Sequence, residues 1–455
     1  MMNKKNVVIV GAGPAGIFAS YKLSENNRKN IFNITVIDKG RSIENRYCPM
    51  RDGKPCANCK PCNIMCGFGG AGSFSDSKLS LSPFGVGGDI VDYVTDEYAL
   101  SSIKQVTEIF DKFDKDAKQR RIIGLKTNKY HEIEEKLKTQ GLDLTYCPTK
   151  HLGTDGTLDI MKAMYKHLVD CGVNFVFNTT VEDFSENSVI TKDKTYPADY
   201  IIFAPGRSGN EWLSDIMRKH GVNSSSCKFD IGYRVEVPAE IIAELTDYLY
   251  DMKISHVYED GTKVRTFCTN PNGFVSEEKY DNGIALANGH SYAEKKSFNT
   301  NFAVLVTYHD SIDMGRSIVR AFNNAVGGNI VINNFDYAFY GKNENNFSTH
   351  PTLMLPWVSK QIANYTPASM NTYILDFLTR LDKLYPGVAS NRTNLYGMEA
   401  KFYSDTIEVK NNFETNIPNV YCVGDGSGIA RGIIQSASMA LIAVDSILLD
   451  CITND

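Results

Sequence analysis

The chain has 455 residues, 42% of them hydrophobic and 22% charged, with a formal net charge of -5. At roughly 150 residues per domain this is about three domains, or two with one split in sequence, and a single small module is excluded. The mildly acidic balance offers no general basic surface to nucleic acid or an anionic membrane, and 11 cysteines are too sparse for a disulfide scaffold.

The opening residues, MMNKKNVVIVGAGPAGIFAS, imitate a secretory signal, with Lys4 and Lys5 before an apolar run. The run 7–10 is short and β-branched and stops at Gly11, which suits a buried parallel strand better. A helix and a second strand at 33–37 complete a βαβ start that ends in Asp38. Residues 40–90 read as loop and contain the cysteine-rich stretch 48–66, whereas 97–140 has helical spacing with charges on solvated faces. A helix capped by Thr154 or Asp155 ends at Gly172 and feeds strands at 174–177, 180–184 and 200–203.

From 226 to about 400 the pattern changes to alternating stretches such as IGYRVEVP and NFAVLVTYHD, which predict antiparallel strands, with helices at 313–326 and 371–384. Then come a strand at 419–423, a glycine turn at 424–432 and a helix at 433–449. Its most apolar part, 439–449, is interrupted by Asp445 and is too short to span a bilayer, so a cytoplasmic protein is expected. The fold class expected is α/β: a Rossmann-like nucleotide domain split into 1–225 and 401–455, with a mixed antiparallel α+β substrate domain, 226–400, inserted.

Gly11-Ala-Gly13-Pro14-Ala15-Gly16 lies between the first strand and the first helix. Gly11 permits the tight turn, Gly13 lets backbone approach a pyrophosphate, and Gly16 lets helix and strand pack closely. The helix N-terminus offers N–H groups to phosphate, and Asp38, followed by Lys39, can accept from ribose hydroxyls. A dinucleotide site is therefore expected here. Gly85-Val-Gly87-Gly88 has no clear strand and helix around it and is expected to be a flexible loop, so no separate nicotinamide domain is predicted.

Cys56-x2-Cys59-x2-Cys62-x3-Cys66 has the spacing of bacterial ferredoxin ligands, with Cys48 nearby and Gly67 where ferredoxins place proline. The readings are an iron–sulfur cluster, redox-active or disulfide-forming thiols, zinc, or a structural role. The loop that follows, GFGGAGSFSDSKL, is rich enough in Gly and Ser to bring the backbone at Gly69, Gly70, Ala71 and Gly72 close to a flat ring system.

The late run VYCVGDG and the middle run IIFAPG resemble motifs of the FAD-binding superfamily related to glutathione reductase. That resemblance implies FAD, held also by Val181, Ala204, Gly206, Gly424, Asp425, Gly432 and Ile433, with the last helix facing the flavin pyrimidine ring. The cysteine cluster running into GFGGAGSFSDSKL, together with IGYRVEVP, RTFCTNPNGFVSEE, ANGHSY and GDGSGIARGI, resembles over nearly the whole chain a bacterial group of FAD-dependent dehydrogenases of unknown substrate. The departure is Ser77, where that group has glycine.

In such a fold the insert roofs the flavin and the substrate lies between the two. Arg234, Arg265, Asn270, Asn272, His290, Tyr292 and His309 are its polar candidates, each of which can instead be a hydrogen-bonded residue of the sheet. Arg265 with His290 could bind a substrate carboxylate or polarise a carbonyl, with His290 shuttling a proton. Asp76 and Lys78 could act near the flavin or pair with each other. Arg431, near a helix start, needs an anionic partner and is expected to contact flavin or substrate oxygens, as a third catalytic candidate beside Arg265 and His290. The expectation is an FAD-dependent oxidoreductase passing hydride between flavin and a small organic substrate, with an unidentified electron donor or acceptor and neither nucleic acid nor membrane as partner. The alternatives are an iron–sulfur electron-transfer flavoprotein and a flavin-dependent RNA-modifying protein.

Overall fold

A five-stranded parallel sheet forms the centre of the first of two units. Its order is Val420–Cys422, Tyr200–Phe203, Lys5–Val10, Phe32–Ile37 and Asn174–Val176, among the described residues. The computed structural model describes residues 4–27, 30–49, 57–74, 77–84, 87–225, 228–249, 251–279, 284–291 and 295–453, so Cys56, Asp76 and Tyr292 lie outside it. The unit comprises Met1–Ile122, Pro148–Ser225 and Ser404–Asp455. Val7, Val8, Ile9, Ile201, Ile202 and Val420 are all buried, as a parallel sheet covered on both faces requires.

The helix Pro14–Glu25 follows the first strand and packs against the helix Ile433–Thr453, so the beginning and end of the chain share one core. A three-stranded antiparallel sheet, Val181–Ser185, Ser188–Thr191 and Thr195–Pro197, precedes Tyr200–Phe203. The final helix is longer than its sequence pattern suggests. Its window Ile433–Ile452 is apolar enough to cross a membrane by length and composition, and 67% of it is buried inside the protein. Ala437, Met439, Ala440, Ile442, Val444 and Ile447 account for that apolarity, because they fill the core.

The second unit comprises Ile123–Cys147 and Ser226–Tyr403. Here one expectation is corrected. Residues 123–147 were read with the nucleotide domain, but Leu144 pairs with Ile254 at the edge of the second unit's sheet, and Tyr130, Ile133 and Leu137 join its core. Strands as short as Asp143–Leu144 leave no period-2 signature.

The eight-stranded sheet of this unit is mostly antiparallel, with Phe229–Pro238 between Asn299–Tyr308 and Asn394–Phe402. Phe229, Ile231, Tyr233, Val235 and Val237 alternate into an apolar core. Between them Asp230, Arg234 and Glu236 are equally buried, which is tolerable only where such groups are paired.

Candidate functional site

A cavity of about 430 Å³ opens in the first unit around the glycine turn. Gly11, Gly13, Pro14, Ala15, Asp38, Lys39, Gly70, Ala71, Gly72, Val181, Ala204, Gly206, Gly424, Asp425, Gly432 and Ile433 all line it. Gly16 and Gly69 do not, and each has a packing role. A Cβ on Gly16 would stand 1.9 Å from the Gly11 carbonyl oxygen, and one on Gly69 would stand 1.8 Å from Ser73 Oγ. The Gly69 amide donates to the Ala12 carbonyl at 2.7 Å, which ties the second glycine loop to the first.

The three glycines of the fingerprint divide their work as steric reasoning demands. Gly11 has φ +112°, and a Cβ there would meet the Ala204 carbonyl oxygen at 2.4 Å. A Cβ on Gly13 meets nothing within 4 Å, because it would project into the cavity. Gly13 is also the N-cap of the helix Pro14–Glu25, without a capping side chain and without an acidic residue in the first turn. The positive end of that helix therefore faces the cavity uncompensated and suits a pyrophosphate.

Asp38 Oδ2 accepts from the Ala12 amide at 2.8 Å and Oδ1 from the Gly40 amide at 2.7 Å. Each oxygen keeps lone pairs for a ribose, so the acid both fixes the turn and presents an acceptor. On another wall Arg207 grips Asp425 with Nη2–Oδ2 at 3.3 Å and Nε–Oδ1 at 3.5 Å. Burial pushes the Asp425 carboxyl up against that pull.

Arg431 lines the cavity, as a residue meant to reach flavin or substrate oxygens must, but the anion it pairs with in the protein is Asp89, at 2.8 Å. Its amide donates to the Gly87 carbonyl at 2.6 Å, and a Cβ on Gly87 would strike Gln435 Oε1 at 2.3 Å. Of the expected Gly85-Val-Gly87-Gly88 loop, Gly87 packs on the final helix and Gly88 on Ile429 and Ala430, while Gly85 and Val86 lie outside the described residues. Sequence reasoning also passed over Thr179, Thr180, Ser208, Trp212 and Ser436, which line the cavity. Their signal was adjacency to Val181, Gly206 and Ile433.

Cys66 lines the cavity as well, beside Gly67. Burial pushes its thiol up, against the pull of Lys39 and a hydrogen bond with Ser208. Arg46 staples this loop by donating to the carbonyls of Asn63 (2.9 Å), Ile64 (2.5 Å) and Phe68 (2.5 Å), with its guanidinium 4.6 Å from the centre of the Phe74 ring. Cys59 receives a distant contact from Asn63 Nδ2 at 3.8 Å, and Cys62 is exposed. Among the described residues, Cys48, Cys59, Cys62 and Cys66 are free thiols that do not converge as zinc ligands do. Just beyond, Ser77 holds φ +42°, a conformation that a glycine would adopt without strain.

In the second unit the candidates are mostly absorbed by pairing. Arg234 is fully buried, its Nε 2.8 Å from Glu399 Oε2, and it donates to the Cys268 carbonyl at 2.8 Å and to Asn288 Oδ1 at 3.1 Å. Arg265 Nη2 is 2.5 Å from both Asp230 Oδ2 and Tyr403 Oη. Arg265 and His290 are not brought together. Arg265 sits opposite Leu305, whereas exposed His290 ends the strand Ala285–His290 opposite Phe274. Asn270 bonds Cys268 and Asn301, Asn272 bonds Ser297, and His309 is exposed. Lys78 begins the strand Lys78–Ser80, partly buried.

Residues 228–402 match the family model described as FAD-dependent protein, C-terminal domain-like. An uncharacterized protein of Clostridium beijerinckii (strain ATCC 51743 / NCIMB 8052) is 24% identical, over 95% of this chain and 79% of that protein. Among solved structures, glycine oxidase from Bacillus cereus ATCC 14579 aligns with 98% of this chain and 96% of its own at 12% identity and a TM-score of 0.39. CtdE in complex with FAD aligns with 99% and 85% at 11% identity and a TM-score of 0.35. The matched family is FAD-dependent by description and the glycine cradle fits a dinucleotide, so the cofactor is FAD.

Proposed function

We propose that the protein is an FAD-dependent oxidoreductase acting on a small organic molecule by hydride transfer. The observation that carries this reading is Gly13, open to the cavity at the uncapped start of a helix, with Asp38 two hydrogen bonds deep in the same turn. Bound FAD supplies reversible two-electron chemistry, taking or giving a hydride at N5 of its ring. The chain's own residues hold it: Gly13 and the first helical turn receive the pyrophosphate, Asp38 the ribose, and the start of the final helix, with Gly432 and Ile433, the ring.

The net charge of -5 supports a small-molecule substrate over RNA. The iron–sulfur reading is favoured by one observation, that Cys66 stands in the cavity wall next to residues that would hold FAD. Iron and acid-labile sulfide assays on anaerobically purified protein decide it, and stoichiometric iron moves the assignment to electron transfer. For the dehydrogenase reading, purified protein is screened anaerobically for flavin bleaching by nicotinamide and other organic donors. Bleaching by one donor and reoxidation by an organic acceptor supports it, and reduction by one-electron carriers alone overturns it.

A further inference from the structure

We infer that Glu25, His167 and Cys171 form a divalent-cation site, independent of the flavin cavity, with zinc as the metal that its donors suit. One carboxylate, one imidazole and one thiol atom lie within 4.8 Å of one another. His167 Nε2 is 3.2 Å from Glu25 Oε1 and 3.6 Å from Cys171 Sγ. Tetrahedral zinc at its usual bond lengths sets N–O edges of about 3.4 Å and N–S edges of about 3.6 Å. A ring nitrogen carries one hydrogen or one lone pair, so a hydrogen bond serves one of these neighbours, while a metal serves both.

The fold builds this trio from two helix ends. His167 lies in the last turn of the helix Thr154–Asp170 and Cys171 is its C-cap, one turn further on. Glu25 is the last residue of the helix Pro14–Glu25. Two C-termini, each the negative end of a helix dipole, therefore converge on the point where a cation would sit. The imidazole is held by rings, with Tyr21 at 5.5 Å and Phe113 at 5.3 Å between centroids. Lys112 stands 3.5 Å from the other oxygen, Glu25 Oε2, and donates to Tyr21 Oη at 2.8 Å, which leaves Oε1 turned to His167. Glu25 and Cys171 are exposed, which gives the ion a path in and water the fourth position. Cys171 binds as the thiolate and releases its proton to solvent. The ion pins the far end of the helix whose first turn forms the glycine cradle.

The test is zinc titration by calorimetry of chelator-treated, full-length protein, as wild type and as His167→Ala, Cys171→Ser and Cys171→His. A Cys59→Ser/Cys62→Ser variant reports on the cysteine-rich loop. The wild type should take up one equivalent that His167→Ala lacks, with at least tenfold weaker binding in Cys171→Ser and recovery in Cys171→His. The loop variant should keep that equivalent. Cobalt(II) should show thiolate charge-transfer absorption that Cys171→Ser diminishes. Equal zinc stoichiometry and affinity in the wild type, His167→Ala and Cys171→Ser would overturn the assignment, as would a wild type that takes up no zinc.

Discussion

Gly13 and Gly16 stand three residues apart, and substituting them should have opposite consequences. A side chain at Gly13 meets open cavity and one at Gly16 meets the Gly11 carbonyl oxygen. Gly13→Val should therefore lose FAD and melt at the temperature of the flavin-stripped wild type. Gly16→Val should lose stability, by about 1–3 kcal/mol or more, before cofactor binding is considered. Calorimetry and flavin absorbance on the two variants separate the effects. Cys66 lines the cavity and Cys59 does not, so Cys66→Trp should cut FAD occupancy while Cys59→Ser leaves it unchanged. In the second unit, Arg234→Ala leaves buried Glu399 without its bidentate partner and with Lys401 at 3.3 Å from Oε1, and should cost about 3 kcal/mol in a denaturant titration. The glycine roles were legible because they depend on neighbours a few residues away. The fate of Arg234 and Arg265 was not, because their partners Glu399 and Asp230 are chosen by strand register across long separations, and a buried arginine has the same sequence appearance as a substrate-binding one.

At the scale of elements, the antiparallel strand Val181–Ser185 is fastened to the helix Asn210–Lys219 by one carboxylate. Asp183 pairs with Lys219 and accepts from His220 at 2.7 Å. Burial alone would raise its carboxyl, but those bonds and the Phe184 amide hold it at about 2, against an ordinary 3.8. A depressed carboxylate contributes stability above its unfolded pKa and loses it as the proton returns. Stability should therefore fall between about pH 4 and pH 2, by on the order of 1 kcal/mol for this partly exposed group. Asp183→Asn should flatten that limb in acid unfolding monitored by circular dichroism, and a limb of unchanged depth would count against the pairing. The helices and parallel strands around the cavity could be placed from periodicity and glycine punctuation. The helix Ile433–Thr453 was underestimated because its core contacts make it apolar almost all round, which erases the amphipathic signature that marks a helix end.

At the scale of the molecule, the change from βα alternation to strand-rich pattern near 226 and its reversal near 400 were visible in sequence, and the second unit's later segment is Ser226–Tyr403. The contribution of Ile123–Cys147 to that unit was hidden, since two-residue strands and a charged helix carry no information about which sheet they will join. The parallel sheet draws on strands from both ends of the chain, so removing residues 404–455 should remove the edge strand Val420–Cys422 and the core helix together and leave an insoluble or flavin-free product. The claim on which the rest depends is that FAD occupies the cavity at the glycine turn. Equilibrium titration of flavin-stripped protein with FAD, followed by quenching of flavin fluorescence, tests it directly. The account predicts saturation at one FAD per chain in the wild type and no saturable binding in folded Gly13→Val. Equal binding by the two proteins, or none by the wild type, would contradict it.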